Sequence, residues 1–262
     1  GSAPFLKAGV KMDGTKLKYW AAFFMLLDHA AVLLLPYGTL YVLFRLAGRL
    51  AFPIFAWLAA EGFRKTRDRK KYLARLGLFA LISEGPYLLA FWNGGVICPV
   101  LFTFFLALGA MALFEKLRES LPLPTALLPL LGAMILGELL GADYGFLGVL
   151  LVAGLYLLDE DRKHKFILLG LWSAVNYLIW TPLPSLLARL PAGVYTPHFW
   201  DVVSRSLRAD LPIMALYALA ACLSMLLLRR YNGTRGSGHK WFFYWFYPLH
   251  ILALYLLSLP LR

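Results

Sequence analysis

Apolar positions in this chain do not alternate, as they would along half-buried strands. They run on in blocks of about 20 residues, the length a helix needs to cross a bilayer. Polar and charged residues collect between the blocks. Nine blocks predict nine transmembrane helices, over residues 16–36, 39–63, 72–92, 97–114, 124–140, 144–158, 166–190, 211–228 and 241–260. The stretch 191–210 reads as an outer loop with an interfacial portion. Lipid offers no hydrogen-bond partner to open backbone, which leaves helices or a closed barrel. The ten-residue alternating segments of a barrel are absent. The expected fold is therefore an all-α, polytopic membrane bundle, with residues 1–15 as a cytoplasmic segment and 16–262 as a single transmembrane domain.

Composition agrees. The 262 residues are 61% hydrophobic and 15% charged, with a mean hydropathy of +0.69, whereas a soluble domain is roughly 45–50% apolar and about 25% charged. Cys98 and Cys222 lie within apolar runs and read as small core residues, with neither a disulfide nor a metal pattern. The first residues, Gly1-Ser2-Ala3-Pro4, look like an appended tag, and no cleavable signal is visible. Net charge is +12, which the positive-inside rule explains without nucleic acid. Nineteen of the 26 basic residues fall in the N-terminal segment and alternate loops, three on the opposite side, and four inside blocks. This predicts a cytoplasmic N-terminus and an outer C-terminus. Trp92, Trp180, Trp200 and Trp241 sit at block ends, where amphipathic rings anchor to the interface.

Ionisable residues inside the blocks are costly to bury and mark function or pairing. They are Asp28, His29, Arg45, Arg49, Arg75, Glu84, Arg189 and His250, with Glu61, Glu138 and Asp143 at or near block ends. Several share one depth, from the middle to the outer half. Arg45 and Arg49, four apart, lie on one helix face. Asp28 projects about 100° from His29, so it is placed to pair with one arginine, leaving the other for an anion or a developing oxyanion. An imidazole titrates near neutrality and can take and return a proton. His164, His198 and His239 sit in loops without an assigned role, and the histidine spacing offers no zinc set. On the cytoplasmic side, Arg64, Arg67, Arg69, Lys70, Lys71 and Arg75 form one cationic run. Arg230, Asn232, Arg235 and Lys240 form a second one, threaded with glycines that let backbone N–H groups approach phosphate.

Ordered blocks across the chain resemble the TraX family of bacterial pilin N-acetyltransferases. They are Leu27-Asp28-His29, Gly48-Arg49 through Pro53-Ile54-Phe55 to Glu61-Gly62-Phe63, Thr66-Arg67, and Tyr72 through Arg75-Leu76. Further along come Ile82-Ser83-Glu84-Gly85-Pro86, Asp143-Tyr144-Gly145, Tyr231-Asn232-Gly233 and Phe246-Tyr247-Pro248-Leu249-His250. Residues 115–137 and 166–228 carry little of the pattern. The first three blocks are also similar, more loosely, to wider membrane acyltransferases. The resemblance implies a bacterial inner-membrane enzyme that moves an acetyl group from acetyl-CoA to an amine, in the family's named case a pilin N-terminus. It leaves a small amine, sugar or other hydroxyl acceptor open.

In that picture the CoA head docks on Arg64 to Arg75 and on Arg230 to Lys240, and His29 serves as general base. His250 is the second candidate base. Arg45 or Arg49 stabilises the oxyanion, while Asp28 or Glu84 holds the arginines. Direct transfer and a covalent acetyl-histidine both remain open. The rival from another class is a proton-coupled transporter using Asp28, His29, Glu84 and His250 as a relay. A third reading is an assembly factor whose buried charges serve packing alone.

Overall fold

The computed structural model describes residues 11–92, 97–159, 161–183 and 199–261, leaving aside the side chains of 199–207. Among these residues every regular element is helical. Three helices start on an aspartate. α1 (Gly14–Leu34) begins at Asp13, α4 (Arg69–Phe91) at Asp68 and α9 (Arg162–Ala174) at Asp161. Each carboxylate accepts from a backbone N–H three residues on, at 2.8–3.0 Å, satisfying one of the orphan donors of a helix start. These bonds hold the Asp68 and Asp161 carboxyls below the usual carboxylate range.

The second block is interrupted. α2 (Thr39–Gly48) ends and α3 (Ala51–Lys65) begins across Arg49-Leu50. Pro53 explains the break: it has no N–H to give the Arg49 carbonyl, and its ring crowds that carbonyl. α5 (Val100–Arg118) follows Pro99, and the fifth block divides into α6 (Leu123–Ala126) and α7 (Leu128–Leu139). α8 (Gly145–Leu157) is short, as its block predicted. α9 runs into a π-helical turn over Val175–Trp180. Then come α10 (Phe199–Arg229) and α11 (Lys240–Ser258), with a final 3₁₀ turn at Leu259–Leu261.

Among the described residues, six stretches are long and apolar enough to cross a membrane: 14–34, 39–65, 69–91, 100–118, 208–229 and 240–261. The apolar helices of 123–139 and 145–157 are shorter. The protein is thus a multi-pass helical membrane protein, with helices in all nine predicted blocks. One expectation is corrected. Residues 199–210 are not loop but the first turns of α10. Arg189, His198 and the rest of 184–198 lie outside the described residues.

The core forms where α3, α5, α8 and α9 meet, around Ile54, Phe63, Leu108, Met111, Leu151 and Leu169. Helix axes approach closely because alanines face one another, among them Ala56, Ala60, Ala107, Ala110 and Ala153, all essentially buried. Small residues at contacts are how helices associate when lipid supplies no hydrophobic drive. Outward faces carry exposed leucines such as Leu81, Leu139, Leu219 and Leu226. At the end of the bundle near Gly14, the chain start is tied to the α10–α11 loop. Met12 N–H donates to the Arg230 carbonyl (2.9 Å), Asn232 N–H to the Met12 carbonyl (2.9 Å) and Gly14 N–H to the Thr234 carbonyl (2.8 Å).

Gly148 on α8 lies close against α5. A Cβ there would lie 2.7 Å from Thr103 Cγ2 and 2.8 Å from Tyr144 Cβ, whereas one on Gly132 would meet nothing within 4 Å. Gly148→Ala is expected to cost about 1–3 kcal/mol, the usual range for overpacking. Gly132→Ala should be neutral or slightly stabilising. Thermal unfolding of both variants in detergent tests this pair.

Candidate active site

α1 and α2 pack against each other beside the break at Arg49-Leu50. There the Asp28 carboxylate bridges two guanidinium groups, Arg45 Nη1 to Oδ2 at 2.8 Å and Arg49 Nη2 to Oδ1 at 2.5 Å. Arg49 Nε also donates to the Arg45 carbonyl (3.2 Å), and its guanidinium lies 5.2 Å from the Tyr217 ring centroid. Gly48 makes the approach feasible, since a Cβ there would overlap the Asp28 carboxyl. Here the sequence expectation needs amending. Asp28 does pair with α2, but it takes both arginines and leaves neither unpaired. The group still carries one net positive charge.

One helical step on, His29 faces α11. Its Nδ1 lies 2.8 Å from His250 Nε2, and His250 Nδ1 lies 2.7 Å from the Phe246 carbonyl. A carbonyl can only accept, so His250 Nδ1 carries the hydrogen. With both rings uncharged, His250 Nε2 then accepts from His29 Nδ1–H. That leaves the lone pair of His29 on Nε2, the nitrogen a general base uses. The rings are nearly parallel, 10° apart with centroids at 5.0 Å, and Phe246 stacks on His250 at 4.7 Å. His250 is therefore placed as the group that orients His29, rather than as an independent second base.

Asp28 and His29 line a cavity with about 40 Å³ of free space. A water needs roughly 10–15 Å³ on the same measure, so the space suits a group of about three heavy atoms, such as an acetyl. Its aromatic wall includes Phe52, which stacks on Tyr144 (centroids 3.8 Å) and Phe104 (5.7 Å). Asp143 and Tyr247 complete the polar lining. Sequence reasoning placed Asp143 only at a block end and overlooked Tyr247. The available signal was spacing: Tyr247 lies three residues before His250, hence on the same face of α11. Glu84 is the opposite case. It was grouped with the arginines, but it meets Cys98, whose Sγ lies 3.8 Å from Oε1.

The cations of the two basic runs divide by partner. Arg64 pairs with Asp159 and donates to the Tyr156 carbonyl, Arg69 pairs with Glu115, and Lys71 pairs with Asp68 (3.2 Å). Arg75 is half-buried, and its Nε has no hydrogen-bond partner. Asn232 closes a turn by accepting from Thr234 N–H (2.9 Å) and the Thr234 hydroxyl (2.8 Å). Lys65 pairs with Glu61 (2.5 Å) and donates to the Gly233 carbonyl (2.7 Å), joining the two cationic stretches. Arg67, Lys70, Arg230, Arg235 and Lys240 are exposed and form no ion pair among the described residues.

Comparison with known families decides the affiliation. The family model described as TraX protein matches residues 13–258. The chain belongs to the TraX family. Within that match fall Asp28, His29, both arginines, Asp143 and His250. A relative from Dichelobacter nodosus, a probable fimbrial assembly protein FimC of serogroup H1, is 29% identical over 95% of this chain and 97% of its own length. No solved structure matches the chain.

For this TraX-family site, the shared carboxylate carries a stability prediction. Asp28→Asn leaves one buried and one half-buried guanidinium group without their counter-charge and is expected to cost about 3–5 kcal/mol. Removing one of them as well, in Asp28→Asn/Arg45→Met, should recover part of that loss. A double-mutant cycle read by thermal unfolding in detergent checks the coupling; additive effects would show that the three groups do not act as one unit.

Proposed function

We propose that the protein is a membrane-embedded acetyltransferase that moves an acetyl group from cytoplasmic acetyl-CoA to an amine or hydroxyl acceptor near the outer side of the bacterial inner membrane. The His29–His250 pair beside an acetyl-sized cavity carries this reading, because it leaves a single nitrogen, His29 Nε2, poised as base. TraX membership and the fimbrial relative support a pilin-related acceptor.

The chemistry balances as follows. The acceptor lone pair attacks the thioester carbonyl carbon, and the new bond forms as His29 Nε2 takes the acceptor's proton. The tetrahedral oxyanion develops in the field of the net positive Asp28–Arg45–Arg49 group. Collapse breaks the C–S bond, and the leaving thiolate takes the proton back from His29. Throughout, His250 holds the His29 tautomer by accepting from Nδ1–H. His29 lies 15 residues beyond Gly14, roughly 22 Å along α1 at 1.5 Å per residue. The donor's arm accordingly reaches inward from a head held at the cytoplasmic face, where Arg67, Lys70, Arg230 and Arg235 have charge to spare for phosphate. The orientation follows from the basic residues: the N-terminus lies in the cytoplasm, with nine crossings placing the C-terminus outside.

His29→Ala is expected to lower acetyl transfer by about 10²–10⁴-fold while leaving acetyl-CoA binding intact. Near-normal turnover would remove the base assignment. In a second experiment, purified protein in detergent should bind acetyl-CoA saturably, and replacing Arg67, Lys70, Arg230 and Arg235 together with glutamine should abolish that binding. No binding by the wild type at millimolar ligand, together with proton-dependent flux in liposomes, would favour a transporter instead.

A further inference from the structure

A groove opens on the outward face of α11. Trp241, Phe242, Trp245, Phe246, Leu249 and His250 line about 450 Å³ of open space there. They recur as pairs every four residues, which puts them along one side of the helix. Trp241, Phe242, Trp245 and Leu249 are each about half exposed. His250 closes the inner end: it is 6% exposed, and its Nε2 meets His29. From Lys240 to His250 the groove runs ten residues, roughly 15 Å at 1.5 Å per residue. That is half of a hydrocarbon core of about 30 Å, the depth of a single leaflet.

The other end of the groove is cationic. Lys240 Nζ lies 5.6 Å from the Trp241 ring centroid, and Lys18 Nζ of α1 lies 5.8 Å from that of Phe243. Tyr19 joins the two helices here. It packs on Phe242 (5.4 Å) and Phe243 (4.9 Å), and its hydroxyl lies 3.0 Å from His239 Nδ1. Lys18 is half-buried, and neither it nor Lys240 forms an ion pair among the described residues. The charge acting on Lys18 is Arg235, another cation. Asp13, which lies beside Gly236 of the same loop, is committed to the cap of α1. Cations gathered without a carboxylate of their own draw an anion from outside the chain.

We propose that this face of α1 and α11 binds an anionic phospholipid from the leaflet at the Gly14 end of the bundle, its phosphate held by Lys18 and Lys240 and one acyl chain laid along the groove to His250. The chemistry selects this occupant. An acyl chain asks for no hydrogen bonds, and the lining has few to give, since both ring nitrogens of His250 are already engaged. The pantetheine arm of acetyl-CoA carries amides, which are costly to lay on an apolar surface facing hydrocarbon. A zwitterionic lipid brings a cation of its own, which Lys18, Arg235 and Lys240 repel, whereas basic side chains at the membrane surface favour anionic headgroups. Tyr19 and Trp241 sit at the level where amphipathic rings meet headgroups. Arg235, offered above to the donor's phosphates, adds to the positive field without being needed as a ligand. The site stands apart from the acetyltransferase reading. Its consequence for the histidine pair is that the end of the chain covers the exposed edge of His250 and keeps water from it.

Trp241 and Trp245 make the groove its own reporter. The protein is placed in phosphatidylcholine nanodiscs containing a rising fraction of either phosphatidylglycerol or phosphatidylcholine brominated in the acyl chains, and tryptophan fluorescence is followed. Brominated phosphatidylglycerol is expected to quench saturably and beyond the level reached by brominated phosphatidylcholine at the same fraction. Trp241→Phe/Trp245→Phe should lose that excess. Lys18→Gln/Lys240→Gln should raise the half-saturating fraction by about 25-fold, about fivefold for each lysine at a membrane surface. Saturating acetyl-CoA should leave the excess unchanged. Equal quenching by the two lipids, an excess that survives the tryptophan variant, or one that the lysine variant leaves within twofold of wild type would overturn the site. Displacement of the excess by acetyl-CoA would give the groove to the donor and overturn it as well. Selective lipid quenching in a protein that binds no acetyl-CoA would strike the acetyltransferase reading alone.

Discussion

One carboxylate inside an apolar bundle, Asp28, sets the terms for the site. A guanidinium group in a low-dielectric interior is tolerable only with a close counter-charge, and here one aspartate serves two. That requirement fixes the neighbourhood. Position 48 must be glycine so that α2 can come within reach of α1. Pro53 opens the helix at Arg49-Leu50, and the aromatic rings of Tyr177 and Tyr217 lie beside the Arg49 guanidinium at 6.0 and 5.2 Å. Neutralisation is incomplete by design of the stoichiometry, and the residual positive charge is the feature that an acyl-transfer site can use.

Much of this was legible in the chain. Block length gave helices in all nine predicted places, and among the described residues six stretches are long and apolar enough to cross a bilayer. The i, i+4 spacing of Arg45 and Arg49 correctly put both on the Asp28 side. What could not be read was the angle at which one helix faces another. Glu84 has the right depth for the arginines, yet it points to Cys98. Depth is counted along a helix, whereas partner choice depends on rotation about it. The sharing of Asp28 by both arginines is similarly a property of packing.

Two errors have simple physical sources. Residues 199–210 read as loop because charges interrupt the apolar run. However, Asp201, Arg205 and Arg208 recur at i, i+4 and i+7, which is one stripe of an amphipathic helix. Tyr247 was hidden in a run of seven aromatic residues, 241–247, whose bulk suggested interface anchoring. Trp241, Phe242 and Trp245 do face outward, while Tyr247 turns inward.

The histidine pair spans 221 positions of sequence, from α1 to α11, and the hydrogen bonds from Met12 and Gly14 to the 230–234 loop join the same two helices at one end. During biosynthesis, His29 therefore enters the membrane long before its partner exists. Until α11 arrives, the ring has nothing to select its tautomer, and the cavity lacks Tyr247. A chain without α11 would hold every arginine and aspartate of the site and still lack both His250 and Tyr247, so the constellation is complete only once the last described helix is in place.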